Sequence, residues 1–136
     1  MAEGSKFGFI FTKVGLSGAD MGASWLLPRL VGLGPATELL MTGDFISAEE
    51  AHRIGLYNRV VSQDELLPVA REFAEKLARG PSFALEVTKD FLNREAAMDM
   101  ISGFAAEGEI QAACMQNPNF REAYDAFVEK RSTRFV

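Results

Sequence analysis

The sequence predicts a mostly helical α/β fold with two short strands at its front. Two runs, Lys6–Thr12 and Leu56–Val61, are rich in aromatic and β-branched residues and are short enough for strands. Two Ser-x-x-Glu signatures, Ser47–Glu50 and Ser62–Glu65, mark helix starts, because the hydroxyl and the later carboxylate can satisfy each other's backbone N–H groups. Breaks at Gly55, Gly80-Pro81 and Asn117-Pro118-Asn119 divide the rest into segments of helical length.

The elements follow in order. Lys6–Thr12 reads as a short buried strand. The glycine-bearing stretch after it forms a loop, and a first helix runs from about Ala19 to Leu30. Leu33-Gly34-Pro35 separates it from a second helix, Ala36–Met41, with Pro35 in the first turn, where its missing N–H does no harm. Thr42-Gly43-Asp44 ends that helix. A third begins behind Ser47 and stops at Gly55, and Leu56–Val61 is the second strand. The helix opened by Ser62–Glu65 carries Leu66, Val69, Ala70, Phe73 and Leu77 at spacings of three and four, a stripe that should face a core. Ser82–Asn93, about Ala97–Gln116 and about Asn119–Lys130 complete the chain as helices, the last capped from the Asn117 break. Two strands so far apart do not make a stable sheet. The front half reads as one that expects a sheet from elsewhere.

At 136 residues the chain is long enough for one domain with a real core. Its 48% apolar and 24% charged residues are those of a soluble globular protein. A net charge of −5 argues against nucleic acid or an anionic membrane surface as the main partner. A local basic cluster can still hold an anionic small ligand. Eleven Phe against one Trp and two Tyr leave many rings to bury, some of them against another subunit. The single Cys114 excludes an internal disulfide and suits a reducing compartment, and its apolar run, Ile110–Met115, makes it a buried structural thiol. No segment has the ~18 uninterrupted apolar residues of a membrane span, and no signal peptide opens the chain, so a cytoplasmic location is expected. The one histidine, His52, is far in sequence from Cys114, so no metal site is expected. His52 reads as surface or helix packing. Glu107 and Glu109 lie on different helix faces, which suits solvent exposure, and Arg131 and Arg134 read as surface charge.

The most informative stretch is Val14-Gly15-Leu16-Ser17-Gly18-Ala19-Asp20-Met21-Gly22-Ala23, ahead of Leu27-Pro28-Arg29-Leu30-Val31-Gly32. Its glycines make a tight loop, an acid sits inside it, and an apolar helix follows. Such a loop brings backbone close to a ligand and leaves a carboxylate at a helix N-terminus. Asp20 has two readings that need not exclude each other. Ser17-Gly18-Ala19-Asp20 is itself a capping box for the next helix; alternatively the carboxylate faces a ligand as acid or base.

From Phe7 to Val136 the chain resembles the C-terminal half of a protein of the crotonase (enoyl-CoA hydratase/isomerase) superfamily. The matching pieces are Phe7-Gly8 with Val14-Gly15, the glycine loop, Leu27–Gly32, Ala36…Glu38-Leu39…Thr42-Gly43, Ile46–Ala51, Gly55–Val61, Pro81…Lys89 and Ala126–Arg131. Each is weak alone; their order and spacing carry the resemblance. It implies a fragment of the α/β crotonase-like (ClpP/crotonase spiral) fold. Residues 1–61 would be the end of the core, with the glycine loop and active-site helix. Residues 62–136 would be the helical C-terminal part that contacts CoA and drives assembly into a trimer or a dimer of trimers. It also implies acyl-CoA thioesters as substrates in fatty acid metabolism. Fixed backbone N–H groups would stabilise an enolate, and carboxylates above the acyl chain would move protons or add water. No cofactor is implied, because coenzyme A is part of the substrate.

The resemblance makes Asp20 the catalytic acid/base residue, as in the dienoyl-CoA isomerase, dehalogenating and naphthoate-forming branches. It makes Leu16, Ser17 and Gly18 the lining of the acyl pocket. Phe127 and Lys130 would hold the adenine and phosphate of CoA. The residues alone leave other readings open: Leu16–Gly18 simply make the turn, Phe127 is core beside Tyr124, and Lys130 is a solvated cation favoured by the helix dipole. Two departures stand out. The family's front half supplies two oxyanion loops and a first catalytic Glu, which have no counterpart here, so the chain alone is expected to be inactive and to need that N-terminal half. The other hydratase Glu falls four residues before the glycine of Val14-Gly15, where this chain has Phe11. That leaves isomerase, hydrolase and decarboxylase chemistry open, and outside catalysis a helical assembly module. Tyr57 has no functional account at this level.

Overall fold

Helix accounts for most of the chain. The computed structural model describes residues 1–136. Its elements are β1 (Lys6–Phe7), α1 (Ala23–Val31), α2 (Leu33–Thr42), β2 (Ile46–Ser47), α3 (Ala48–Arg53), α4 (Leu66–Ala78), α5 (Ser82–Arg94), α6 (Met100–Gln116) and α7 (Pro118–Glu129), with single 3-10 turns at Thr12–Val14 and Glu95–Ala97. They fall into two units, Met1–Ala70 and Arg71–Val136. The mostly helical character and the two short strands are as expected from the sequence. No helix is long and apolar enough to cross a membrane.

In the first unit β1 and β2 pair antiparallel, Lys6 opposite Ser47 and Phe7 opposite Ile46. The expected strand Lys6–Thr12 thus pairs only at its first two residues. Its later residues serve an aromatic cluster instead: Phe9 meets Phe7 edge-on at 5.0 Å and stacks on Phe11 at 6.5 Å. Phe7 also meets Tyr57 edge-on at 5.7 Å, which gives Tyr57 a packing role. The second expected strand, Leu56–Val61, is not one. The Leu56 and Tyr57 amides both donate to the Ala51 carbonyl and close α3, and only Val61 pairs, in a single parallel bridge to Ala2. The second strand is instead Ile46–Ser47, just ahead of α3.

Ser47 Oγ accepts the Glu50 amide at 3.1 Å and caps α3 as expected. Asn117 caps α7 by accepting the Asn119 amide at 3.0 Å. At Ser62 only the side chains meet, Ser62 Oγ donating to Glu65 Oε2 at 2.6 Å, while the Glu65 amide goes to the Ser62 carbonyl. The second helix starts earlier than expected: α2 begins at Leu33 and takes Gly34-Pro35 into its first turn, where Pro35 lacks only an N–H that no helical carbonyl could accept. The sixth starts later, at Met100, because Asp99 accepts the Ile101 and Ser102 amides and fixes the start there.

The core of the first unit is the α1–α2 hairpin. Leu27, Ala36, Leu39 and Leu40 are buried, with Phe9, Ala23, Val31, Ile46, Ile54 and Leu56 packed against them. Other large apolar side chains of this unit stay in solvent, among them Leu33 at 74% and Met21 at 87% exposure. The expected core stripe of α4 finds no buried position. Its periodicity is right, but none of its positions reaches the depth of a core. In the second unit Gly103, Asn119 and Ala126 are the buried positions of α6 and α7.

Leu27→Ala is expected to destabilise the first unit by about 2–5 kcal/mol, the usual loss for a buried leucine. Leu33→Ala should change it by less than about 0.5 kcal/mol, as for an exposed position. Urea denaturation followed by circular dichroism measures both; equal losses would contradict this placement of the core.

Candidate functional site

The glycine loop starts on a turn that its own sequence closes. Thr12–Val14 form one 3-10 turn, and the Leu16 amide returns to the Phe11 carbonyl at 2.8 Å. Lys13 Nζ meets Asp44 Oδ1 at 2.7 Å across the base of the loop. Gly18 lies flat on α2: a Cβ there would come within 3.1 Å of Leu40 Cβ and 3.3 Å of the Leu40 carbonyl oxygen. Only glycine lets the loop backbone approach so closely.

Asp20 is not in the helix it was expected to open. Met21 and Gly22 are both left-handed, at φ 50° and φ 79°, and α1 begins only at Ala23. The capping box is therefore not formed. Ser17 Oγ accepts the Ala19 amide at 3.0 Å and makes a local turn. Asp20 Oδ1 accepts the Met21 amide at 2.9 Å, and the Asp20 carbonyl accepts that of Ala23. The carboxylate is exposed, and within the chain its second oxygen is shared with no hydrogen-bond donor. A methionine in left-handed backbone next to it stores steric strain of the kind that gathers at functional loops. Leu16, 60% exposed, and Ser17 lie on the same loop. The structure therefore brings Leu16, Ser17, Gly18 and Asp20 together on one loop held against α2.

Phe127 and Lys130 belong to the second unit, at the last turn of α7. Phe127 is 84% exposed, so it is not core within this chain. Lys130 is exposed and lies just past the helix in left-handed backbone, at φ 54°. Its neighbour Arg131 is exposed, as the sequence reading has it, and is in addition ion-paired. Its guanidinium makes a two-pronged bond to Glu122, at 2.6 and 2.9 Å, and reaches Glu129 at 2.6 Å. The Arg134 amide donates to the same Glu122 carboxylate at 2.6 Å. Glu122 carried no motif, and its partner lies nine positions away, outside the three-and-four spacing that sequence reading inspects.

Other candidates resolve plainly. Phe11 is half-buried against Phe9, so no carboxylate stands at that position. His52 Nδ1 lies 2.9 Å from the Tyr57 carbonyl, which only accepts, so Nδ1 carries the proton and the ring ties down the turn after α3. Cys114 is half-buried rather than buried. It lines a largely apolar cleft of about 580 Å³ in the second unit, with Phe83, Val87, Phe91, Ile110 and Phe120. Glu107 is exposed, like Glu109, but contributes to that cleft's rim. No group of three or more His, Cys, Asp and Glu side chains is arranged to hold a metal ion.

Comparison with known proteins adds the following. Residues 1–136 match the sequence profile of the enoyl-CoA hydratase/isomerase family. The crotonyl-CoA hydratase of Syntrophomonas wolfei is 35% identical over 135 residues, which is 99% of this chain and 52% of that protein. The 1,2-epoxyphenylacetyl-CoA isomerase of Escherichia coli K12 is 34% identical over 135 residues, 99% of this chain and 51% of that one. Among solved structures, the enoyl-CoA hydratase of Bacillus anthracis superposes with a TM-score of 0.93 at 32% identity, covering 98% of this chain and 52% of the other. The chain spans about half the length of the curated relatives it matches.

The end of α7 yields a pH prediction. The Arg131 guanidinium first, and the Arg134 amide second, pull the Glu122 carboxyl from its ordinary value of 4.5 down to about 2. A depressed carboxylate stabilises the fold fully above its unfolded value, and that contribution fades as pH falls from 4.5 through about 2. A titration of the Glu122 carboxyl carbon by NMR is expected to show a midpoint near 2. A midpoint near 4.5 would mean that the pairing is absent in solution.

Proposed function

Since the chain belongs to the enoyl-CoA hydratase/isomerase family and has the crotonase fold, we propose that it is the C-terminal half of an enzyme acting on acyl-CoA thioesters through a stabilised enolate. Asp20 is the residue that moves the proton. Leu16, Ser17 and Gly18 line the acyl end of the substrate, and Phe127 and Lys130 grip its nucleotide end. An aromatic ring and an ammonium suit an adenine and its phosphates. Coenzyme A enters as part of the substrate, so no separate cofactor is needed.

The observation that carries this reading is the loop around Asp20. An exposed carboxylate with an unshared oxygen stands on a strained turn whose backbone is fixed against α2 through Gly18. A group that must transfer a proton needs that combination of access and fixed position. The backbone donors that would hold the enolate oxygen come from the complementary half. The apolar side chains left in solvent on the first unit, from Leu16 to Leu33, support a further polypeptide segment covering them. Trimer formation would bury the apolar faces of the second unit in the same way.

Phe11 favours a second reading, isomerisation. Hydration holds a water between two carboxylates, whereas shuttling a proton between two carbons needs only one. An epoxyphenylacetyl-CoA isomerase stands among the relatives, so isomerisation of an acyl-CoA, though of an epoxide, occurs beside hydration among them.

The test is the hydration of crotonyl-CoA and the double-bond shift of a 3-enoyl-CoA, by the chain alone and mixed with a separately expressed N-terminal half. Activity is expected only in the mixture, and Asp20→Asn should lower it by about 10²-fold or more without loss of helical signal. A mixture that assembles and turns over neither substrate overturns the catalytic reading in favour of an assembly role.

A further inference from the structure

The role assigned to the end of α7 rests on the reading of Lys130 as a contact for the nucleotide end of CoA. Lys130 occupies left-handed backbone, at φ 54° and ψ 40°. Glycine usually fills this place past a helix, because a Cβ is crowded there. The turn is a Schellman motif: the Lys130 amide donates to the Phe127 carbonyl, and the Arg131 amide donates to that of Ala126 at 3.0 Å.

A lysine can stay in this conformation because the next residue is clamped. Arg131 Nη1 and Nη2 reach back to Glu122 Oε1 and Oε2, and Nε bonds Glu129 Oε2. Both members of the Arg131–Glu122 pair are largely shielded, with side chains 33% and 22% exposed. The Arg134 amide joins the same carboxylate. Farther on, the buried Asn119 exchanges two hydrogen bonds with the Val136 backbone, Nδ2 to the carbonyl and Oδ1 from the amide, each at 2.9 Å. Residues 131–136 are thereby tied back along α7 at three points.

We propose that the Glu122–Arg131 pair is a positioning device for nucleotide binding, fixing the turn that presents the Phe127 ring and the Lys130 ammonium as one preformed surface. Neither Glu122 nor Arg131 touches the ligand. Their effect is to remove the ordering cost that a loose turn would add to binding.

The test titrates the ¹⁵N-labelled chain with coenzyme A and follows the amides of residues 126–131. Glu122→Gln and Arg131→Lys are each expected to weaken binding roughly 3- to 10-fold, with the helical signals of α5 and α6 unchanged. Lys130→Ala should weaken it similarly, and Glu122→Gln with Lys130→Ala together should lose little more than either alone. That lack of additivity separates positioning from a general loss of structure. Weakening by Lys130→Ala but not by Glu122→Gln or Arg131→Lys would overturn the clamp and leave the nucleotide reading intact. Fully additive losses would also overturn the clamp, since it would then act on something other than Lys130. If coenzyme A moves no amide at the end of α7, or Lys130→Ala changes nothing, the nucleotide reading itself fails and the clamp's role with it.

Discussion

The packing of α2 against α1 is the constraint on which the first unit depends. Leu27, Leu39 and Leu40 exclude water together, and Leu40 does so while its backbone and Cβ form the surface on which Gly18 rests. The loop thereby borrows its position from the hydrophobic core. Gly43 continues the same logic just past Leu40, at the C-terminal end of α2. A Cβ there would meet Lys13 Cγ at 3.1 Å and the Phe9 carbonyl at 3.2 Å, so the turn below the loop also sits directly on the helix. A close approach of backbone to helix is what makes a short loop rigid enough to aim a side chain.

That core is small for the apolar content of the chain. Eight apolar residues of the whole chain are buried, all of them Ala or Leu, while Trp25, Leu26, Leu30 and Phe45 keep about half or more of their surface in solvent. One contact shows how the surface manages this. Arg29 lies over the Trp25 ring at 3.7 Å and also donates to the Trp25 carbonyl, covering part of the indole with a cation that remains hydrated. The leucines have no such cover. Apolar surface on this scale is characteristic of a face that another polypeptide segment buries, in keeping with a chain about half as long as its relatives.

What could be read from the sequence divides by range. Ser47 and Asn117 were legible because a cap needs only a polar side chain and an amide two or three residues on. The glycine loop was legible as a loop for the same reason. The start of α1 at Ala23 is not legible, because Ser17-Gly18-Ala19-Asp20 satisfies the capping pattern, while left-handed backbone at Met21 is not written in a residue type that favours it. The strands were misplaced because pairing joins residues about 40 positions apart, and aromatic residues suited to a ladder serve equally well in a ring cluster. The pairing of the exposed Arg131 with Glu122 is not legible in the sequence, because that partner is chosen by the tail's path back along α7.

The exposure of Phe127 narrows what the end of α7 can be. A ring 84% in solvent contributes nothing to the packing of this chain, so its core reading falls within the unit that carries it. Tyr124, one turn earlier, is 59% exposed and has Arg121 over its ring at 5.8 Å, so it does not shield Phe127 from solvent in any depth. The turn beyond is nevertheless among the most heavily tied parts of the second unit, with Arg131, Arg134 and Val136 all returning to α7. Order without burial has to be supplied by polar contacts, and here it is supplied on the side of Glu122 and Asn119. The Phe127 ring is thus open to solvent while the backbone next to it is held by polar contacts.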